Sequence, residues 1–95
     1  MKYFFHPAAE IEFSDAVDFY ERQQPGLGRR LSEEVRTAIR QICEHPLAWE
    51  KVDSQTHRFL TNRFPFGVLY RIKDDHIRII AVMHLRRKPD YWQSR

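Results

Sequence analysis

The chain has 95 residues, a formal net charge of +3 and a hydrophobic fraction of 42%, which suits one small domain, residues 1–95, built on a single core. A lone cysteine, Cys43, excludes an internal disulfide, so folding needs no oxidising compartment and a cytoplasmic setting is expected. No stretch approaches the roughly 20 apolar residues that cross a bilayer, and Glu10 and Glu12 follow the opening residues too soon for a signal peptide, so no membrane partner is expected.

Lys2 to His6 is short and aromatic and stops at Pro7, which predicts a brief strand and then a helix start. From Ala8 the period is helical: Ala9, Phe13, Ala16 or Val17, and Tyr20 form an apolar stripe. The other face, with Glu10, Glu12, Asp15, Asp18 and Glu21, reads as a solvated acidic surface. Pro25-Gly-Leu-Gly28 breaks this helix, and a second one carries Leu27, Leu31, Val35, Ala38 or Ile39, and Ile42. Its acids Glu33 and Glu34 precede Arg36 and Arg40, the order the helix dipole favours, and His45-Pro46 ends it. Two helices joined so closely form an antiparallel hairpin.

Leu47 to Thr56 is polar and irregular, with Trp49 as its large apolar anchor, and beyond it the period becomes two. His57 to Thr61, Phe66 to Lys73 and Ile77 to Met83 read as three strands whose short turns force antiparallel pairing. Phe66, Val68, Tyr70 and Ile72 share one face, as do Ile77, Ile79 and Ala81, while Arg71 and Arg78 point to a face expected to be wet. The helix stripe and the apolar sheet face cover each other, which predicts a two-layer α+β domain.

Charge divides unevenly along the chain. His57 to Arg95 holds nine Lys/Arg against three acids, net +6, and Met1 to Thr56 holds seven against ten, net −3. The last strand leads into His84-Leu-Arg-Arg-Lys-Pro-Asp-Tyr-Trp92, where cations adjoin aromatics in a pattern suited to phosphates and stacked bases, or to an acidic protein segment. Three consecutive cations are also common on plain surfaces. The five histidines show no metal-ligand spacing and no phosphate loop exists, so neither a metal nor another cofactor is expected. Cys43, beside Ile42, reads as a core or boundary thiol.

Metal-free chemistry with such residues would be phosphodiester cleavage, in which a base frees the 2′-hydroxyl of RNA, arginines stabilise the phosphorane and an acid protonates the leaving oxygen. The candidates are His84 or Glu50 as base or acid, Arg63 with Arg86 or Arg87 as stabilisers, and Tyr91 for stacking or proton donation. Lys51, Arg58, Lys88 and Trp92 are further candidates for holding a nucleic acid or other target.

Pro25-Gly-Leu-Gly28, Ile42 to Pro46, Arg63-Phe-Pro-Phe-Gly67, Val68-Leu-Tyr70 and His84-Leu-Arg-Arg-Lys-Pro-Asp-Tyr-Trp92 together resemble the RelE/ParE toxin superfamily, in order and over nearly the whole chain. The resemblance implies a RelE/ParE-like fold: a short N-terminal strand, then a helix hairpin packed on a C-terminal antiparallel sheet. It also implies the toxin of a bacterial type II toxin–antitoxin (plasmid stabilisation) module, held by a cognate antitoxin in a hetero-oligomer. RelE-like members cleave messenger RNA on the ribosome, and ParE-like members inhibit DNA gyrase. RelE-type residues carried over give Arg63, Arg86 or Arg87, and Tyr91, but the helix-to-sheet connection offers only Lys51 where RelE proper is lysine-rich. A YoeB-like branch uses a glutamate, an arginine and a late histidine, roles open to Glu50, Arg63 and His84. The motifs lean towards ParE, with an endoribonuclease and a non-toxic basic adaptor as the alternatives.

Overall fold

The computed structural model describes all 95 residues. The elements are β1 (Lys2–Phe5), α1 (Pro7–Gln23), α2 (Leu27–Glu44), β2 (His57–Leu60), β3 (Phe66–Ile72) and β4 (His76–His84). The sheet runs β1-β4-β3-β2. Strands β2, β3 and β4 pair antiparallel as their short turns require, and β1 lies parallel to β4, with Lys2 opposite His76 and Phe5 opposite Ile79. The sheet is thus mixed and four-stranded.

The α1 stripe and the α2 stripe pack onto one sheet face. Ala9, Phe13, Leu31, Val35, Ala38, Ile39 and Ile42 join Phe64, Phe66, Val68, Tyr70, Ile77, Ile79 and Val82 in the main core. Burial of this apolar area is the main force holding helices to sheet. The helix start is fixed locally: His6 caps α1, its Nδ1 accepting the Ala8 N–H at 3.0 Å, and Pro7 occupies the first turn.

Several acids described as solvated in the sequence are structural. Glu21 accepts the Gly26 N–H at 2.9 Å and the Gly28 N–H at 3.1 Å, so α1 supplies the anion at the start of α2. Neither Glu33 nor Glu34 lies in the first turn of α2, and its last turn holds no cation; the ordering expected from its dipole is therefore not what caps it. Gly26 sits at φ 90°, a conformation glycine adopts without strain. A Cβ on Gly28 would come within 2.4 Å of the Val17 carbonyl, which is why the two helices can approach so closely there. Glu34 accepts the Arg63 N–H at 3.1 Å and the Phe64 N–H at 3.2 Å and so ties the β2–β3 turn to α2.

The second sheet face is not wet. Leu69, Ile80, Ala81, Met83 and Trp92 form a second buried cluster, flanked by Val52 and Tyr91. The segment after β4 folds back across the strands. An irregularity at Leu69/Tyr70 changes the register: Leu69 pairs with Ala81 and Tyr70 with Ile79, leaving Ile80 as an extra residue. Ala81 therefore belongs to the second cluster, not to the face of Ile77 and Ile79 as simple alternation predicts. Arg71 is 7% exposed. Its Nε donates to Thr56 Oγ1 at 2.9 Å, and its Nη1 and Nη2 donate to the Arg95 and Gln93 carbonyls.

Glu12 closes this layer. Its carboxylate accepts from Arg95 Nη1 at 2.9 Å and Nη2 at 3.1 Å, and from the Val82 N–H at 3.1 Å, while Arg87 Nη1 stands 3.6 Å away. The Glu12 side chain is 12% exposed and that of Arg95 16%. A paired arrangement of this kind is far more sensitive to loss of one partner than a surface ion pair.

Two outcomes follow from these contacts. Glu12→Gln should lower the unfolding free energy by about 3 kcal/mol in urea titrations and speed deuterium exchange at the amides of residues 85–95 before those of β3. His6 is held below its ordinary value of 6.5 by burial and then by Arg78 and Arg95, against the pull of Glu12. Because its folded pKa lies below the unfolded one, its contribution is complete above the unfolded pKa and is lost as pH falls from there through the folded one. The urea midpoint should therefore drop more between pH 7.5 and pH 5 in the native chain than in His6→Asn, whose cap does not titrate; equal drops would remove His6 from the cause.

Candidate functional site

The sequence-predicted residues fall into three separate places. The first is the outer end of the sheet below the helix-to-sheet connection. There Glu50 and Lys51 run back along β2: the Arg58 N–H donates to the Glu50 carbonyl at 3.0 Å, Val52 donates to Thr56, and Lys51 bridges His57. Asp53 folds the turn by accepting the Gln55 and Thr56 N–H groups. These bonds hold its carboxyl below the usual value although burial acts the other way. The result places the Glu50 carboxylate 2.5 Å from Arg58 Nη2. Lys51 is exposed beside them.

The second place is the turn between β2 and β3. Arg63 is exposed there, and its side chain lines a cleft with Arg30, Glu33, Glu34, Thr37 and Asn62. Its backbone is the part that Glu34 grips, so the turn is rigid where the guanidinium leaves it.

The third place is the groove between α1 and the end of β4, a volume of ≈ 600 Å³ lined by Glu12, Asp15, Phe19, Arg22, His84 and Arg87 among others. Its floor includes Ala16, Tyr20, Phe66 and Val82. His84 pairs with Phe66 across the strands and meets its ring edge-on at 5.2 Å. Its Nδ1 accepts the Arg86 N–H at 3.1 Å, which leaves the other ring nitrogen to carry the proton of the neutral form. Phe19 stands at the rim, 52% exposed.

These places do not converge. Arg58 lies opposite Leu69, on the sheet face covered by residues 85–95, while His84 lies opposite Phe66, on the helix face. Glu50 and Arg58 are brought together; His84 is separated from them by the sheet, and Arg63 lies at the turn over α2. Tyr91 and Trp92 are packed, not displayed. Trp92 is 3% exposed. Tyr91 is clasped between guanidinium groups, Arg87 at 3.9 Å and Arg95 at 5.0 Å from its ring centre. Burial, then the Glu12 carboxylate, push its phenol far above the ordinary value, which keeps it protonated and a weak acid. Arg86 and Lys88 remain exposed.

Sequence reasoning missed Glu12, Arg71 and Arg95, which organise the tail. One signal was available: Arg71 interrupts an otherwise apolar strand, where a charge persists only if it is paired. A further anchored phenol, Tyr70, donates to the Pro46 carbonyl at 2.6 Å, and burial pushes it up to about 12. No three His, Cys, Asp or Glu side chains come together in a metal-holding group.

The architecture and the order of its motifs have known counterparts. A solved structure of the chromosomal ParDE toxin–antitoxin system from P. aeruginosa is similar, with a TM-score of 0.67 over 90% of this chain and 97% of that one, at 14% sequence identity. At that identity the likeness speaks for the fold. A search of curated protein sequences returns no match. Residues 3–89 match the family described as the ParE toxin of the type II toxin–antitoxin system parDE, which spans every element from β1 to the residues beyond β4. The chain therefore belongs to the ParE toxin family and is the toxin component of a type II toxin–antitoxin system.

Proposed function

We propose that this toxin arrests bacterial growth in the cytoplasm by binding DNA gyrase rather than by cutting RNA, and that its antitoxin occupies the groove between α1 and the end of β4. The observation that carries the first part is the division of polar residues between the two sheet faces. Metal-free RNA cleavage needs a base and an acid on either side of one phosphate, with cations around it. Glu50 and His84, the two candidates for proton transfer, have the sheet between them, and Arg63 joins neither. The Tyr91 phenol is clasped between arginines and is a weak acid. Inhibition by binding asks only for a surface. Exposed Arg86 and Lys88 after β4, with exposed Lys51 beside β2, offer a cationic one.

Family membership brings with it a cognate antitoxin. Docking in the α1–β4 groove is supported by its mixed character: an apolar floor, an exposed aromatic at the rim, and acids (Glu12, Asp15) alongside cations (Arg22, Arg87). An amphipathic segment of the antitoxin would lay its apolar face on that floor. The cytoplasmic setting is supported by the single cysteine and by the nature of the target; no helix is long and apolar enough to cross a membrane.

Induction of the toxin alone should stop growth. Purified toxin should block supercoiling by gyrase while messenger RNA 5′ ends after induction stay as in uninduced cells; codon-phased cuts with unaffected supercoiling would select the nuclease alternative, and healthy growth at confirmed expression would sink both. Phe19→Glu should weaken antitoxin binding roughly a hundredfold, as loss of an aromatic anchor does, and leave growth arrest intact. Unchanged affinity would place the antitoxin elsewhere.

A further inference from the structure

The segment after β4 leaves one corner of the second sheet face open, where β1 meets the start of β4. Phe5 packs against the main core, so alternation turns Lys2 and Phe4 to the opposite side of β1. Phe4 is 55% exposed there, and its ring stands edge-on to that of His76 at 5.2 Å. The register sets Lys2 beside His76 and Phe4 beside Arg78, while the other neighbour of Arg78 is Arg71. One row across three strands therefore reads Phe4, Arg78, Arg71. Lys73 follows β3 and is exposed beside it.

The charge of this corner is not neutralised from within the chain. Like charges directly opposite on neighbouring strands repel, and Arg71 bonds only to a hydroxyl and two carbonyls. The ion pairs of the protein use Arg29, Arg58, His76, Arg87 and Arg95, which leaves Lys2, Lys73 and Arg78 without a carboxylate. The His6 imidazole registers the resulting field: burial, then Arg78 and Arg95, and also Arg71, hold it below its ordinary value against the pull of Glu12. The nearest acids in sequence, Asp74 and Asp75, stand in the β3–β4 turn, and Asp75 is bonded to His76. They bound the patch at one end.

An exposed aromatic ring beside an unpaired guanidinium suits a ligand that carries a planar group and an anion together, as a nucleotide unit does. Lys2, Phe4, Lys73 and Arg78 line none of the clefts of the protein. A free nucleotide would keep most of its surface in water on so open a patch, whereas a strand repeats its contacts from one cation to the next. A duplex hides its base faces, and an acidic peptide would use the cations but leave Phe4 idle. We infer that this corner binds a single-stranded nucleic acid, with one base on Phe4 and successive phosphates on Arg78, Lys2 and Lys73. The site shares no residue with the α1–β4 groove or with the cations after β4, so it stands or falls separately from the proposed target and antitoxin surfaces.

Fluorescence anisotropy of a short labelled oligothymidylate with purified toxin should show saturable binding that weakens with salt. An abasic strand of the same length keeps the phosphates and should bind roughly tenfold more weakly. Phe4→Ala should lose that same factor on the oligothymidylate and nothing on the abasic strand. Arg78→Gln should reduce the slope of log K against log salt by about 0.7, the share of one phosphate on a single strand. Arg40→Gln, which removes an exposed cation on α2, should leave the slope unchanged. Equal affinity for the two strands, or the same loss of slope in Arg78→Gln and Arg40→Gln, would reduce the binding to diffuse attraction and overturn the site. Tighter binding of polyglutamate of matching length would overturn it in favour of an acidic polypeptide. If Arg78→Gln loses its fold, Lys2→Gln carries the salt measurement, and the exposed Phe4 still tests the stack.

Discussion

Glu12 joins parts of the chain that lie 70 and 83 residues away from it, the Val82 amide in β4 and the Arg95 guanidinium. The carboxylate sits on the polar side of α1, at the edge of the helix layer, where it can reach past the sheet to the returning segment. Without that reach, residues 85–95 would lose their tie to α1 and keep Trp92, Tyr91, the Arg71 bonds, the Leu85 N–H bond to the Pro65 carbonyl and the Arg95 Nη1 bond to the Ile80 carbonyl. The second sheet face would then be covered by a loose flap. The ion pair is thus a condition of the sheet's burial on both sides, and the burial in turn sets what the cationic residues after β4 can do. Those that face inward are structural, and those left outside are free to meet a partner.

This arrangement separates the tasks of the molecule in space. The groove beside α1 combines apolar floor and mixed charge, the usual requirements for a peptide segment. The far sheet face carries the Glu50–Arg58 pair and flanking cations. Because the sheet stands between them, a ligand on one side does not compete directly with one on the other. A toxin of the ParE family that must meet both a target and an antitoxin can therefore present distinct surfaces to each, and its neutralisation need not be simple occlusion.

Much of the fold was legible because it rests on local period. The stripes from Ala9 to Tyr20 and from Leu27 to Ile42 are helical, and the run from Phe66 to Ile72 alternates, so helix hairpin and antiparallel strands follow from spacing. The covered second face was not read, although Ile79-Ile80-Ala81-Val82-Met83 is an unbroken apolar run of the kind found in strands buried on both sides. The irregularity at Ile80 is what lets that run serve two cores at once, and no alternation rule anticipates it. The roles of Glu21 and Glu34 were hidden for a different reason: each accepts backbone N–H groups, Glu21 those of the turn after its own helix and Glu34 those of a distant turn, and backbone donors leave no mark in a residue pattern. The candidate residues were found individually, but their distribution between two faces depends on register. Arg58 and His84 could be assigned a side only once Leu69 and Phe66 were known as their partners across the strands.

The pairing of β1 with β4 has a consequence for the cell that makes this protein. The first strand of this domain to be made has as its partner the last strand of the sheet, and the chain between them cannot close that edge on its own. Pairings of such sequence separation form late, and a domain growing from its N-terminus must wait for them. The helix hairpin can form early, but the sheet edge, the Glu12 clamp and the cover over the second face all need residues from His76 to Arg95. A partly made chain therefore lacks the finished surfaces. For a toxin, this topology holds back the finished surfaces until the whole domain has been made.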